Sequence, residues 1–177
     1  DNPSRAGFAN QDGNTAQELY NDDIFVGYRY YDTFGKDVAY EFGYGGSYTK
    51  FAMSTQSVTA DKDKVTVKVK VKNTGSVSGK EVAEVYFSAP EGNLDKPYQE
   101  LAGYAKTDEL APGESQVLTI TYDTTEMGSY DTDKAAYVME DGDYIIRVGN
   151  SSRNTHVAAK LNVAEDMITE QYSNLMV

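Results

Sequence analysis

With 28 aspartates and glutamates and a single histidine, acid–base chemistry is the first function to look for in this chain. Hydrolysis of a glycosidic bond needs two carboxyl groups about 5–9.5 Å apart across a cleft, one of them held protonated. Close pairs exist at Asp22 and Asp23, Asp61 and Asp63, and Glu140 and Asp143. Each falls in a stretch that reads as a turn or an arm, where turn formation explains an acidic residue better than catalysis does. His156, the only histidine, lies in a strand-like stretch, so no histidine pair and no Ser-His-Asp set can be assembled. "YDTDK" places Asp131 and Asp133 two apart, but Lys134 and Ala135 follow where ligands belong and no glycine stands at loop position 6. The calcium-loop pattern therefore fails. "NTG" and "GYGGS" lack the lysine of a phosphate-binding loop, and Asn150-Ser151-Ser152 fits a glycosylation sequon. With no cysteine there is no disulfide, thiolate ligand or cysteine nucleophile. No catalytic residue, metal site or cofactor is expected.

The elements that would have to position any site are strands. "KVTVKVKVKNTG" sets Val65, Val67, Val69 and Val71 on one face and Thr66, Lys68, Lys70 and Lys72 on the other, the period of a half-buried strand. "KFAMSTQSVTA" precedes it; "EVAEVYFSAP", "YQELAGYAK", "SQVLTITYD", "DYIIRVG" and "HVAAKLNV" follow, punctuated by "NTGSVSG", "APGES" and "EDGD". No long amphipathic helix interrupts them, which disfavours a parallel α/β sheet. About seven short strands predict an all-β, immunoglobulin or fibronectin type III-like β-sandwich with a long irregular N-terminal arm. Val67, Val69, Val85, Phe87, Leu118, Ile120, Tyr144, Ile146 and Val148 are expected to face inward. Tyr144, two residues after Gly142, stands where a tyrosine corner would sit. In the arm "NTAQELYNDD" suggests a short helix capped by Asn14, and "AEDMITEQYSNLMV" at the other end reads as a connector or short helix.

The net charge of −12 disfavours nucleic acid and an anionic membrane surface as partners. No apolar run approaches the ~20 residues of a membrane span, and "DNPSRAGFANQDG" does not read as a signal peptide. The compartment, bacterial cytoplasm or outside the cell, stays open.

One stretch is unlike the rest. "FVGYRYYDTFGKDVAYEFGYGGSYTKF", residues 25 to 51, carries ten of the chain's 21 phenylalanines and tyrosines, with no apolar period long enough for a helix or a strand pair. Such rings stack on sugars, fill a core or cover a partner. The stretch resembles the connector of family 3 glycoside hydrolases, in which an "E-x-I-x-x-G-Y-R-Y-Y/F-D" run leads to "F-G-x-G-L-S-Y-T-x-F". Tyr28, Arg29, Tyr30, Asp32, Phe42, Gly43, Gly45, Ser47, Tyr48, Thr49 and Phe51 match it. Gly46 departs where leucine is usual, and Glu41 where proline is common. "VKVKNTGSVSGKEVAEVYFSAP", "KPYQELAGYAKTDELAPGES" and "DGDYIIRVGNSS" are similar to the fibronectin type III-like domain of the same enzymes.

The resemblance implies a connector from a catalytic domain at 1–50, the sandwich at 51–163 and a connector or tail at 164–177. It also implies a parent of β-glucosidase type whose catalytic carboxylates lie on other domains, so none is carried over here. The module's partners would be those catalytic domains, with a glycoside or oligosaccharide near the interface as a further one. Tyr28, Arg29, Tyr30, Tyr31, Asp32, Phe34, Phe42, Tyr44 and Tyr48 are the expected interface residues, and the isolated chain is expected to self-associate through Tyr28, Tyr30, Tyr31 and Phe34. The rival reading is a stand-alone carbohydrate-binding or adhesion module.

Overall fold

Alternate valines stay buried in a strand only if a second apolar surface closes over them, and two sheets provide that closure. The computed structural model describes residues 22–175. Its elements in chain order are a helix, α1 (Tyr28–Thr33), and strands β1 (Phe51–Ala60), β2 (Lys64–Asn73), β3 (Val82–Ser88), β4 (Glu100–Lys106) and β5 (Ser115–Asp123). After a 3₁₀ turn at Thr124–Met127 come β6 (Ser129–Asp131), β7 (Ala136–Met139), β8 (Gly142–Gly149), β9 (Thr155–Val163) and β10 (Met167–Gln171).

One sheet has the order β1-β2-β5, and the facing sheet β4-β3-β8-β9. All the paired neighbours run antiparallel. Val65, Val67, Val69 and Val71 of β2 pack against Val85 and Phe87 of β3, Leu118 and Ile120 of β5, and Tyr144, Ile146 and Val148 of β8. All nine residues expected to face inward are buried. The Tyr144 hydroxyl donates to the Glu140 carbonyl at 3.2 Å, the back-bond of a tyrosine corner. Burial, with the Glu140 carboxylate nearby, pushes that phenol up to about 12.

The seven strands legible in the sequence form these two sheets, and three more form a third, ordered β10-β7-β6. The segment read as a connector or short helix is instead β10. Met167 pairs with Met139 and Ile168 with Val138, and the Gln171 amide donates to the carbonyls of Lys134 and Ala135. An open edge on β7 satisfies more backbone than an isolated turn of helix would.

A second departure is α1, in the stretch that shows no helical period. Gly27, at φ +61°, turns the chain into it, and the Thr33 hydroxyl donates to the Arg29 carbonyl at 2.5 Å. Contacts with the sandwich hold these six residues in place of an apolar stripe. The helix expected around "NTAQELYNDD" lies outside the described residues apart from Asp22 and Asp23, which sit in a turn. Among the described residues no helix is long and apolar enough to cross a membrane.

Candidate functional site: a connector laid on the sheet

Strand β3 is buried on both faces, which a solvated sandwich sheet would not be. Ala83, Val85 and Phe87 face the core, while Glu84 and Tyr86 point the other way and are still buried. The cover over them is the connector. Tyr28 sets its ring edge-on to Tyr86 at 6.0 Å and stacks on Phe42 at 4.8 Å, and its hydroxyl accepts from the Leu101 amide at 2.8 Å. Burial pushes the Tyr28 phenol up, partly opposed by that amide.

Further bonds fasten the connector along its length. Arg29 pairs with Glu100 of β4 at 3.1 Å, and the Thr33 hydroxyl accepts from the Tyr98 amide at 2.8 Å. Arg153, in the turn between β8 and β9, pairs with Asp32 at 2.8 Å and donates to the Lys36 carbonyl at 2.6 Å. Beyond them the Ser151 hydroxyl donates to the Glu41 carboxylate at 3.1 Å, and the Ser152 amide to the Phe42 carbonyl at 2.8 Å. The connector thus touches β4, β3 and the β8–β9 turn.

Gly43 makes the closest approach. Its φ is +83°, and a Cβ there would lie 2.5 Å from the Glu84 carboxylate. Glu84 accepts from the Tyr86 hydroxyl at 2.6 Å, and no cation among the described residues pairs with it. Burial holds its carboxyl above the usual glutamate range, against the Tyr86 bond, with Glu81 adding a smaller upward push. The same burial and the Glu84 carboxylate push the Tyr86 phenol far up. At the connector's end the Thr49 hydroxyl donates to Asn73 Oδ1 at 2.8 Å, while the Asn73 amide donates to the carbonyls of Val77 and Leu110. The "NTG" turn is therefore a socket for the arm.

The nine expected interface residues divide. Tyr28, Arg29 and Asp32 are committed to the sandwich of this chain. Tyr30, Tyr31 and Phe34 form a separate cluster, with Tyr30 5.4 Å from Tyr31 and 5.0 Å from Phe34. Phe34, Phe42, Tyr44 and Tyr48 remain exposed, Tyr48 at 99%.

The chemical candidates resolve into structural roles. Asp61 caps the β1–β2 turn by accepting the amides of Asp63 and Lys64, both at 2.8 Å, which lowers its pKa. Asp131 does the same with Asp133 and Lys134 and pairs with the Lys134 ammonium at 3.0 Å, so its carboxyl is also held low. Glu140 is buried and nails down the loop before β4, bonding Lys96 and the amides of Asn93 and Leu94. Burial pushes its carboxyl up, but the Lys96 and amide bonds outweigh that and leave it below the usual range. Asp143 bonds Asn162 and Lys160 at the surface and is likewise lowered. His156 is exposed and meets the Thr55 hydroxyl at 3.1 Å. Asn150 bonds Asn154 and Glu81, and Ser152 of the sequon is buried. Among the described residues no three acidic or histidine side chains are grouped to hold a metal ion.

Sequence reasoning missed the receiving side of the connector: Glu84, Tyr86, Glu100, Leu101 and Arg153. A faint signal was present, since "AEVYF" puts a large tyrosine on the face that alternation assigns to solvent.

Comparison with known proteins gives the same picture. A family model, the fibronectin type III-like domain, matches residues 81–152. A β-glucosidase of Ruminococcus albus is 42% identical over 177 residues, covering 97% of this chain and 18% of the relative. β-Glucosidase A of Butyrivibrio fibrisolvens is 39% identical, covering 100% and 24%. Among solved structures, a β-glucosidase from Paenibacillus barengoltzii superposes with a TM-score of 0.90 at 44% identity, over 97% of this chain and 20% of that one. The chain spans about a fifth of the length of these relatives.

Proposed function

Because the chain belongs to the fibronectin type III-like domains, with their connector, of family 3 β-glucosidases, we propose that it is a non-catalytic module that packs against and stabilises the catalytic domains of such an enzyme. The observation that carries this reading is the two-sidedness of the connector. Its inner side is bonded to the sandwich, while Phe34, Tyr40, Phe42, Tyr44 and Tyr48 keep 45–99% of their surface open, with Tyr40 and Tyr44 in contact at 4.9 Å. Rings of this kind bury a large area on docking. The parent enzyme hydrolyses β-glucosides through carboxylates on its other domains, and this chain supplies none.

Tyr48 gives a clean test, since with 99% of its surface open it has almost nothing to lose within this chain. Tyr48→Ala should leave the melting temperature of the chain unchanged and lower that of the complete β-glucosidase by several degrees. Equal melting temperatures for the complete enzyme with and without the substitution would overturn the reading.

A further inference from the structure

The connector closes over an acid. Glu84 points outward from β3, with Tyr104 of β4 and Gly149 of β8 level with it on either side. It is nevertheless only 7% exposed, because the Gly43 backbone lies above it. A Cβ on Gly43 would fall 2.5 and 2.6 Å from the two carboxylate oxygens. A carboxylate in that position gives up its hydration, and its charged form is disfavoured unless something nearby replaces the water.

The surrounding groups replace little of it. On β3 itself the Tyr86 hydroxyl donates a bond at 2.6 Å, while Glu81 adds a like charge. On β4 stand Tyr104, Glu100 and, two residues along, the exposed Lys106. On β8 Arg147 is level with Tyr86, but its guanidinium donates to Ser88 Oγ at 3.1 Å. The connector brings Tyr28, Arg29, Asp32 and Glu41, and the β8–β9 turn brings Arg153. Arg29 is taken by Glu100, Arg153 by Asp32, and Glu41 accepts from the Ser151 hydroxyl. Each of the three arginines at this seam is therefore committed to another group.

The connector can lift without opening the valine core, since it is held by separate side-chain bonds at the outer face. Lifting it gives Glu84 back its water, so the docked and lifted states bind a proton there with different affinity. Any such difference makes the proton an effector of docking, by the reciprocity of linkage. The sign follows from burial, which raises the Glu84 carboxyl. Its contribution to docking is complete below its undocked value, near 4.5, and is lost as pH rises through the docked value. Asp32, Glu41 and Glu100 work in the opposite sense, because each accepts a bond across the seam in its charged form. The Tyr28 and Tyr86 phenols are pushed up by burial and keep their protons across the neutral range.

We propose that Glu84 is a proton-operated latch for the connector: protonated, it lets the connector close on β3, and loss of the proton weakens that closure. The latch is built from contacts within this chain and does not depend on the scaffold role proposed above.

The test is amide hydrogen exchange of this chain at pH 4 and pH 7, each rate divided by the intrinsic rate of that amide. Leu101 and Ser152 report docking through their bonds to the Tyr28 hydroxyl and the Phe42 carbonyl, and Val148 of β8 reports the core. Leu101 and Ser152 should be less protected than Val148 at both pH values, as local opening requires. Their protection should fall severalfold from pH 4 to pH 7, and Glu84→Gln, a neutral match for the protonated acid, should remove that fall. A carboxyl-detected NMR titration is the second measurement and needs no substitution: Glu84 should titrate above the ordinary glutamate range. Protection of Leu101 and Ser152 equal to that of Val148 would overturn the proposal. So would the same pH response in Glu84→Gln, or a Glu84 that titrates in the ordinary range.

Discussion

Replacing Gly43 with alanine tests whether the connector is held to the sheet at the point where the two lie closest. Two costs add. At φ +83° an L side chain sits in the left-handed region, at about 1–2 kcal/mol. The new Cβ also falls 2.5 Å from the Glu84 carboxylate, which must move and give up its bond from the Tyr86 hydroxyl, at about 1 kcal/mol. The sum, about 2–3 kcal/mol, acts on docking of the connector rather than on the sandwich core. Two amides report that docking: Ser152, which donates to the Phe42 carbonyl, and Leu101, which donates to the Tyr28 hydroxyl. Their native-state hydrogen exchange should rise roughly 30- to 160-fold, at tenfold per 1.36 kcal/mol. The Val148 amide on core strand β8 should change much less. Gly45→Ala is the control, because Gly45 has nothing within 4 Å of a Cβ and no positive φ. If Ser152 and Leu101 exchange in Gly43→Ala as they do in the parent chain, the connector is not held by this contact and the argument for a fastened arm fails.

Three further outcomes are expected. Ile146 is fully buried between the two sheets, so Ile146→Ala should destabilise the chain by about 2–5 kcal/mol in urea unfolding; a loss well under 1 kcal/mol would mean the site is not packed. Glu84 has its folded-state pKa raised by burial, so the stability linked to its proton is present below its unfolded value, near 4.5, and is lost as pH rises through the folded value. Glu84→Gln should therefore stabilise the chain at pH 7 and lose that advantage at pH 4, and a pH-independent difference would contradict the buried, unpaired carboxyl. Lastly, the chain alone should not hydrolyse an aryl β-glucoside above background. Turnover abolished by an Asp or Glu substitution within it would contradict the structural roles given to Asp61, Asp131 and Glu140.

The sandwich was legible because its strands obey a strict rule. Alternation in "KVTVKVKVKN" assigns each residue to a face, and Val65, Val67, Val69 and Val71 all follow it. β6, β7 and β10 escaped because three, four and five residues are too few to show a period, and β10 exists through its pairing with β7. The connector was legible as an unusual segment but not as a shape. Its fold depends on single long-range bonds such as Asp32 to Arg153 and Thr33 to Tyr98, separated by 121 and 65 residues. No local pattern encodes such partners. For the same reason Arg29 and Asp32 could be marked as interface residues while Glu100 and Arg153 could not be named as their partners.

The two outer faces of the sandwich then differ in kind. On β2 the outward residues Lys68, Lys70 and Lys72 are exposed, as on any solvated sheet. On β3 the outward residues are a glutamate and a tyrosine held under another part of the chain. The cover keeps the large Tyr86 ring from water, at the cost of desolvating the Glu84 carboxylate beside it. The connector is therefore a third layer of the domain and not a tether. A tether would lie free of the sandwich; this layer is bonded at β4 and at the β8–β9 turn and packs its Tyr28 ring on Tyr86 of β3.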